Sequence, residues 1–252
     1  MSPETQEVAK VNPTQYPTFI GSLALGKGHE DVIETSDLIL PRAKLVQFTS
    51  EEVTAENPED RIEPGKLINS ITKEELTPLI IPIYRYKTYT FFNPLDRKSA
   101  HYDSNFEPGE MVFSTTDKND PRIGDGLEFK DGEAPKVTEA FNYLCLFPGE
   151  RLPLILTFKR TSLRAAKELN TMLQLSGGDM FSNRYKIVIT RHEDGQRKWF
   201  SISVRGAGKA TVEEHSIANQ IFEHFRGQGK VADVVEQHAA PEAETTTTSS
   251  GW

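Results

Sequence analysis

"LIIPIYRYKTYTFF", residues 79–92, is the stretch from which the rest of the chain is best read. β-branched and aromatic side chains fill it, and these fit a pleated, half-buried surface better than a helix. It is the strongest strand signal in the sequence. A period of two puts Tyr84, Tyr86 and Phe92 on one face, with Arg85, Lys87, Tyr89 and Phe91 on the other. Rings beside cations are the chemistry that single-stranded nucleic acid needs, because bases stack on rings while cations follow the phosphates. An ordinary amphipathic strand, with its rings in a core, accounts for at least some of the same residues.

Upstream, "DLILPRAKLVQF" alternates around a proline, which predicts a short edge strand. The first 37 residues hold only short apolar pieces and read as an N-terminal arm. "TSEEVTAENPEDRIEPGK" is an acidic loop. Downstream, residues 93–136 are dense in Asp, Gly, Pro and Asn, which predicts a loop-rich insertion. Strands resume at "AFNYLCLF" and "LPLILTFK", separated by the turn "PGER". The period then changes: Leu163, Ala166, Leu169 and Leu173 make one apolar helical face, with Thr161 or Ser162 to cap its start and Gly177-Gly178 to end it. "RYKIVITRHEDGQRKWFSISVRG" reads as a hairpin about an Asp-Gly turn. A second helix, "VEEHSIANQIFEHF", aligns Ile217, Ile221 and Phe225. The expected architecture is mainly β (α+β): a domain over 38–226, with an arm over 1–37 and a disordered acidic tail over 227–252.

The net charge of −8 conceals an uneven distribution, since residues 151–210 carry twelve bases against four acids. A basic block between acidic flanks is the footprint of an anion-binding protein, although a solvated basic surface gives the same count. The lone Cys145 rules out an internal disulfide framework and a cysteine-built zinc finger, and its apolar neighbours predict a buried thiol. No run approaches the length of a membrane-spanning helix, so no membrane partner is expected, and the N-terminus lacks a signal-peptide pattern. "GSLALGKG" (Gly21–Gly28) nearly matches a phosphate-binding loop, but Gly28 stands where the Mg²⁺-binding Ser or Thr belongs. The six histidines show no ligand spacing, and no nucleophile elbow is present. The sequence therefore gives no support for catalysis, a cofactor or a metal site.

Four blocks resemble a family of tailed-bacteriophage single-stranded DNA-binding proteins: "LPRAKLVQFTSEEV", "PGKLINSITKEEL", "IPIYRYKTYTFF" and "AFNYLCLF…LPLILTFKRTSLRAAKEL". The resemblance covers about residues 38–205. It implies an OB-like β-barrel with one or two packed helices, serving phage DNA replication or recombination in the cytoplasm of the infected bacterial host. Relatives carry cysteines in the middle insertion that imply a small zinc site. The insertion here, including Ser99 and Asp103, has none. The chain is accordingly expected to be a non-enzymatic protein that binds single-stranded DNA without reading sequence. Tyr84, Tyr86, Tyr89 and Trp199 are the expected stacking rings. The expected cations are Arg85, Lys87, Lys159, Arg160, Arg164, Lys167, Arg184, Lys186, Arg197 and Lys198. The acidic tail, ending in Trp252, is similar in architecture to partner-recruiting tails, which implies contacts with replication or recombination proteins; self-association is left open. The alternative is a phage virion structural or assembly protein that uses the same β domain for protein contacts.

Overall fold

The long strand of the sequence forms as expected and is the hinge of the architecture: β3 spans Leu79–Phe92 in a computed structural model describing residues 39–129, 134–150, 152–195 and 197–227. Around it stand β1 (Arg42–Leu45), β2 (Leu67–Asn69), β4 (Met111–Thr115), β5 (Thr138–Leu146), β6 (Leu154–Lys159), β7 (Asn183–Asp194) and β8 (Arg197–Lys209). Two helices complete it, α1 (Leu163–Ser176) and α2 (Val212–Gly227). The protein is mainly β, with one mixed sheet in the order β2-β1-β6-β5-β3-β7-β8 and β4 added to β3. Only β1 and β6 run parallel. The arm, the tail beyond Gly227 and the near-match loop at Gly21–Gly28 lie outside the described residues.

β3 serves two sub-sheets because it is long and bent. One edge follows β5 from Ile81 to Thr90, with a bulge between Pro82 and Tyr84. Pro82 has no N–H to donate, so a bulge is where the ladder tolerates it. The other edge takes β7 at Leu79 and Ile80, then β4 from Tyr89 to Phe92. Helices cover both faces of the sheet about β3, β5 and β6. Ile80, Tyr143, Leu156, Phe158, Tyr185, Ile187 and Val204 enclose Ala165, Ala166 and Leu169 of α1. On the opposite face, Ile81, Ile83, Leu144 and Ile155 pack under Ala218, Ile221 and Phe225 of α2. Cys145 is fully buried in the first cluster, where burial pushes its thiol up, as suits an inert core residue.

Three expectations are revised. The "PRAKL" strand is internal, since β1 pairs β2 on one side and β6 on the other; Pro41 sits just before it, and its carbonyl accepts from Ile155. The insertion is more than loop: β4 joins β3, and Tyr89, Phe91, Phe113, Ile123 and Val137 form a small core of their own. The sheet is also open, with no ladder joining β2 to β8 among the described residues, so strand pairing does not close a barrel.

Side chains span the gap instead. The Gln47 amide donates to the Phe200 carbonyl at 3.0 Å and accepts the Phe200 N–H at 2.9 Å, as a neighbouring strand would. Phe48 stacks on the Phe200 ring with centroids 5.2 Å apart. Gly65, at φ +92°, lies so close that a Cβ there would meet that ring at 2.8 Å. Occupying both backbone groups of Phe200 also blunts part of an edge strand that is otherwise open to foreign pairing.

The helix starts differ from expectation in detail. Ser162 precedes α1, but its hydroxyl accepts the Lys159 N–H and donates to the Lys159 carbonyl, which tightens a 3-10 turn at Arg160–Ser162. Gly177, at φ +61°, ends the helix as its sequence position implied.

Candidate nucleic-acid interface

The aromatic-basic face of β3 is divided by the fold. Tyr89 is only 2% exposed inside the insertion core, so it cannot stack a base. Tyr86 is half-buried with its hydroxyl enclosed and unpartnered, and burial, against the opposing charge of Arg42, pushes that hydroxyl up. Tyr84 is half-buried beside it, the two rings 6.4 Å apart. Arg85 is exposed but hydrogen-bonds Asn170 of α1, which also accepts from the Tyr143 hydroxyl at 2.8 Å. Lys87 pairs with Glu139 at 2.6 Å and lies over the Phe141 ring. These two cations are engaged within the fold.

The basic residues near α1 also separate. Arg164 makes an exposed pair with Glu168 one turn on, and Lys167 is exposed without an ion pair among the described residues. Lys159 is half-buried, and Arg160 is exposed at φ +50°. Because α1 packs on the core side of β7 and β8, its outward bases and those of the hairpin's outer face stand on different sides of β8. The sequence block of charge is therefore two patches.

The β7–β8 hairpin presents the more coherent surface. Tyr185, Ile187 and Val204, with Ile189 and Ile202, face the core. Alternation then puts Lys186, Val188, Thr190 and His192 on the outer face of β7, and Arg205, Ser203, Ser201 and Trp199 opposite them on β8. Lys186 pairs across from Arg205, and the Asp194–Arg197 pair closes the tip. His192 and Trp199 stack nearly parallel, centroids 5.3 Å apart, and His192 Nε2 lies 2.6 Å from Ser201 Oγ. Lys186, Arg197 and Arg205 are exposed and have no ion-pair partner among the described residues. Lys198 lies 3.6 Å from Glu193.

Arg184 is withdrawn from this surface. It is held at 2.7 Å by the buried Glu214, which also accepts the Thr211 N–H at the start of α2. That makes it a structural cation. Conversely, His192 and Arg205 join the outer face, although neither is among the rings and cations expected from the sequence to bind. The alternation already visible in "RYKIVITRH" and "WFSISVR" carried the signal for them, once the core face was fixed. Trp252 lies outside the described residues.

No group of three or more metal-binding side chains occurs among the described residues. No helix there is long and apolar enough to cross a membrane. A family model described as Pam3 phage gp34-like protein matches residues 9–231. Neither the curated proteins nor the solved structures contain a match to the chain.

Proposed function

The chain belongs to the Pam3 phage gp34-like family and is a phage protein, and from that premise we propose that it binds single-stranded DNA without sequence preference, in replication or recombination within the infected host. The observation that carries the proposal is the outer face of the β7–β8 ribbon. It holds three exposed cations with no ion-pair partner among the described residues, a row of hydroxyls and a stacked His192–Trp199 platform. From Lys186 to Asp194 that face runs about 26 Å, at about 3.3 Å per residue, enough for several nucleotides. Lys186 and Arg205 would neutralise phosphates at one end and Arg197 at the other, with bases stacking on Trp199 between them. The role is binding rather than catalysis. The OB-like relation belongs to this proposal too, supported by Gln47, just past β1, which reaches across to Phe200 on the outer strand β8.

The test is fluorescence anisotropy of a labelled thymidine oligonucleotide across a salt series. The wild type is expected to bind more tightly at low salt and to prefer the single strand over a duplex. Replacing both Lys186 and Arg205 with Ala should flatten the salt slope by about 1.4, or about 0.7 per phosphate contact. Equal affinity for both DNA forms, or an unchanged slope, refutes the proposal and leaves the virion-assembly role as the better account.

A further inference from the structure

The second helix and β3 enclose an open cleft of about 590 Å³ that the ribbon does not use. Asn219, Phe222, Glu223 and Arg226 line it from α2, at spacings of three, four and seven residues that place them on one helix face. Tyr84 and Arg85 line it from β3, and Asp179 and Phe181 from the turn before β7. Phe181 is buried and makes a floor, with the Phe222 ring 6.0 Å away. Asp179 Oδ2 lies 3.2 Å from His215 Nε2, whereas Glu223 and Arg226 are exposed and form no ion pair with each other or with any described residue.

This lining selects its ligand by exclusion. The lining sets Asp179 and Glu223 against Arg85 and Arg226, so its charges balance and favour no net charge on the ligand. The part that enters is therefore neutral, and the rings of Tyr84 and Phe222 favour a flat aromatic one. A carboxylate and a guanidinium one turn apart then ask for a ring with two adjacent donors on one edge and two acceptors on the next. Guanine has that pattern: N1–H and the N2 amine suit Glu223, while O6 and N7 suit Arg226. We infer that the cleft between α2 and β3 is a guanine-binding site, with Tyr84 and Phe222 holding the ring and Glu223 and Arg226 reading its edges. The cleft is separate from the ribbon, and this inference rests on the single-strand reading only for the source of the base. A guanine exposed in a strand and a free guanine nucleoside offer the same chemistry.

The experiment compares anisotropy of a thymidine oligonucleotide with the same strand carrying one central dG or one central dA, and titrates guanosine and adenosine by calorimetry. Glu223→Gln and Arg226→Ala change exposed side chains, and circular dichroism checks that both variants fold. The wild type is expected to bind the dG strand about tenfold more tightly than the dA strand, the discrimination of one bidentate base contact. Both variants should erase that preference while binding thymidine strands as before. Guanosine heat that disappears in Glu223→Gln supports the site with the free nucleoside as a source. The inference is overturned if dG and dA strands bind equally and guanosine gives no heat. A preference that survives both substitutions also overturns it, as does one directed at adenine. Failure to bind thymidine strands at all is a different result, and counts against the ribbon alone.

Discussion

Replacing Gly65 with Ala probes how firmly the two ends of the sheet are joined. Gly65 sits at φ +92°, and an added Cβ would approach Phe200 Cε1 at 2.8 Å and Cζ at 2.9 Å. Two costs combine. The backbone conformation is one that L residues adopt at about 1–3 kcal/mol. The overlap adds about 1–3 kcal/mol more, because the Phe200 ring is stacked on Phe48 and its backbone is held by Gln47, so it cannot simply swing aside. Gly149 provides the control, since it has φ +93° and nothing within 4 Å of its Cβ position. Gly149→Ala should show the backbone cost alone. The assay is urea denaturation followed by circular dichroism, with both variants extrapolated to water. The expected result is a loss for Gly65→Ala that exceeds the Gly149→Ala loss by about 1–3 kcal/mol. Equal losses within about 0.5 kcal/mol would mean that Phe200 has room to move. The side-chain seam would then be a loose contact rather than a closure.

Glu52 is almost fully buried, 2.9 Å from Lys73 and 3.1 Å from Lys44, with its second oxygen unpartnered. Burial alone would raise its carboxyl, but hydrogen bonds from Lys73, its own backbone and Lys44 together hold it below the ordinary value. Its contribution is thus present above the ordinary carboxyl range and is lost as pH falls through the lowered folded value. Glu52→Gln should cost about 1–3 kcal/mol at neutral pH, and that gap should narrow in urea titrations repeated toward pH 3. Tyr89→Ala should cost about 3 kcal/mol or more of stability, as for other large buried rings. Trp199→Ala should leave the urea midpoint nearly unchanged yet weaken single-strand affinity by about 1–3 kcal/mol. Asn93 is buried, its amide donates to the carbonyls of Asp103, Phe106 and Glu107, and its Oδ1 accepts the Asp103 N–H. Asn93→Ala should loosen that loop first, so limited proteolysis should speed up within residues 94–110 before global stability falls.

By itself, the sequence determined the long strands and the two helices, but not the short strands β2 and β4. The β-branched, aromatic run at 79–92, the three-and-four spacing of Leu163, Ala166 and Leu169, and the Asp-Gly turn at 194–195 all depend on neighbours in the chain. Each is a local signal, and local signals survive without tertiary context. Which face of a strand is core is not local. Tyr89 and Trp199 are both rings beside bases in the sequence, yet the insertion closes over one and leaves the other half-exposed on the ribbon. Arg184 and Lys186 differ as sharply, because Glu214 comes from an element thirty residues away and claims only the first. Whether the sheet closes was decided at still longer range. Gln47 reaches Phe200 across 153 residues of chain, and no periodicity in either segment marks the pairing. Partner choice across such distances depends on how the layers pack, and packing exists only once the chain has folded.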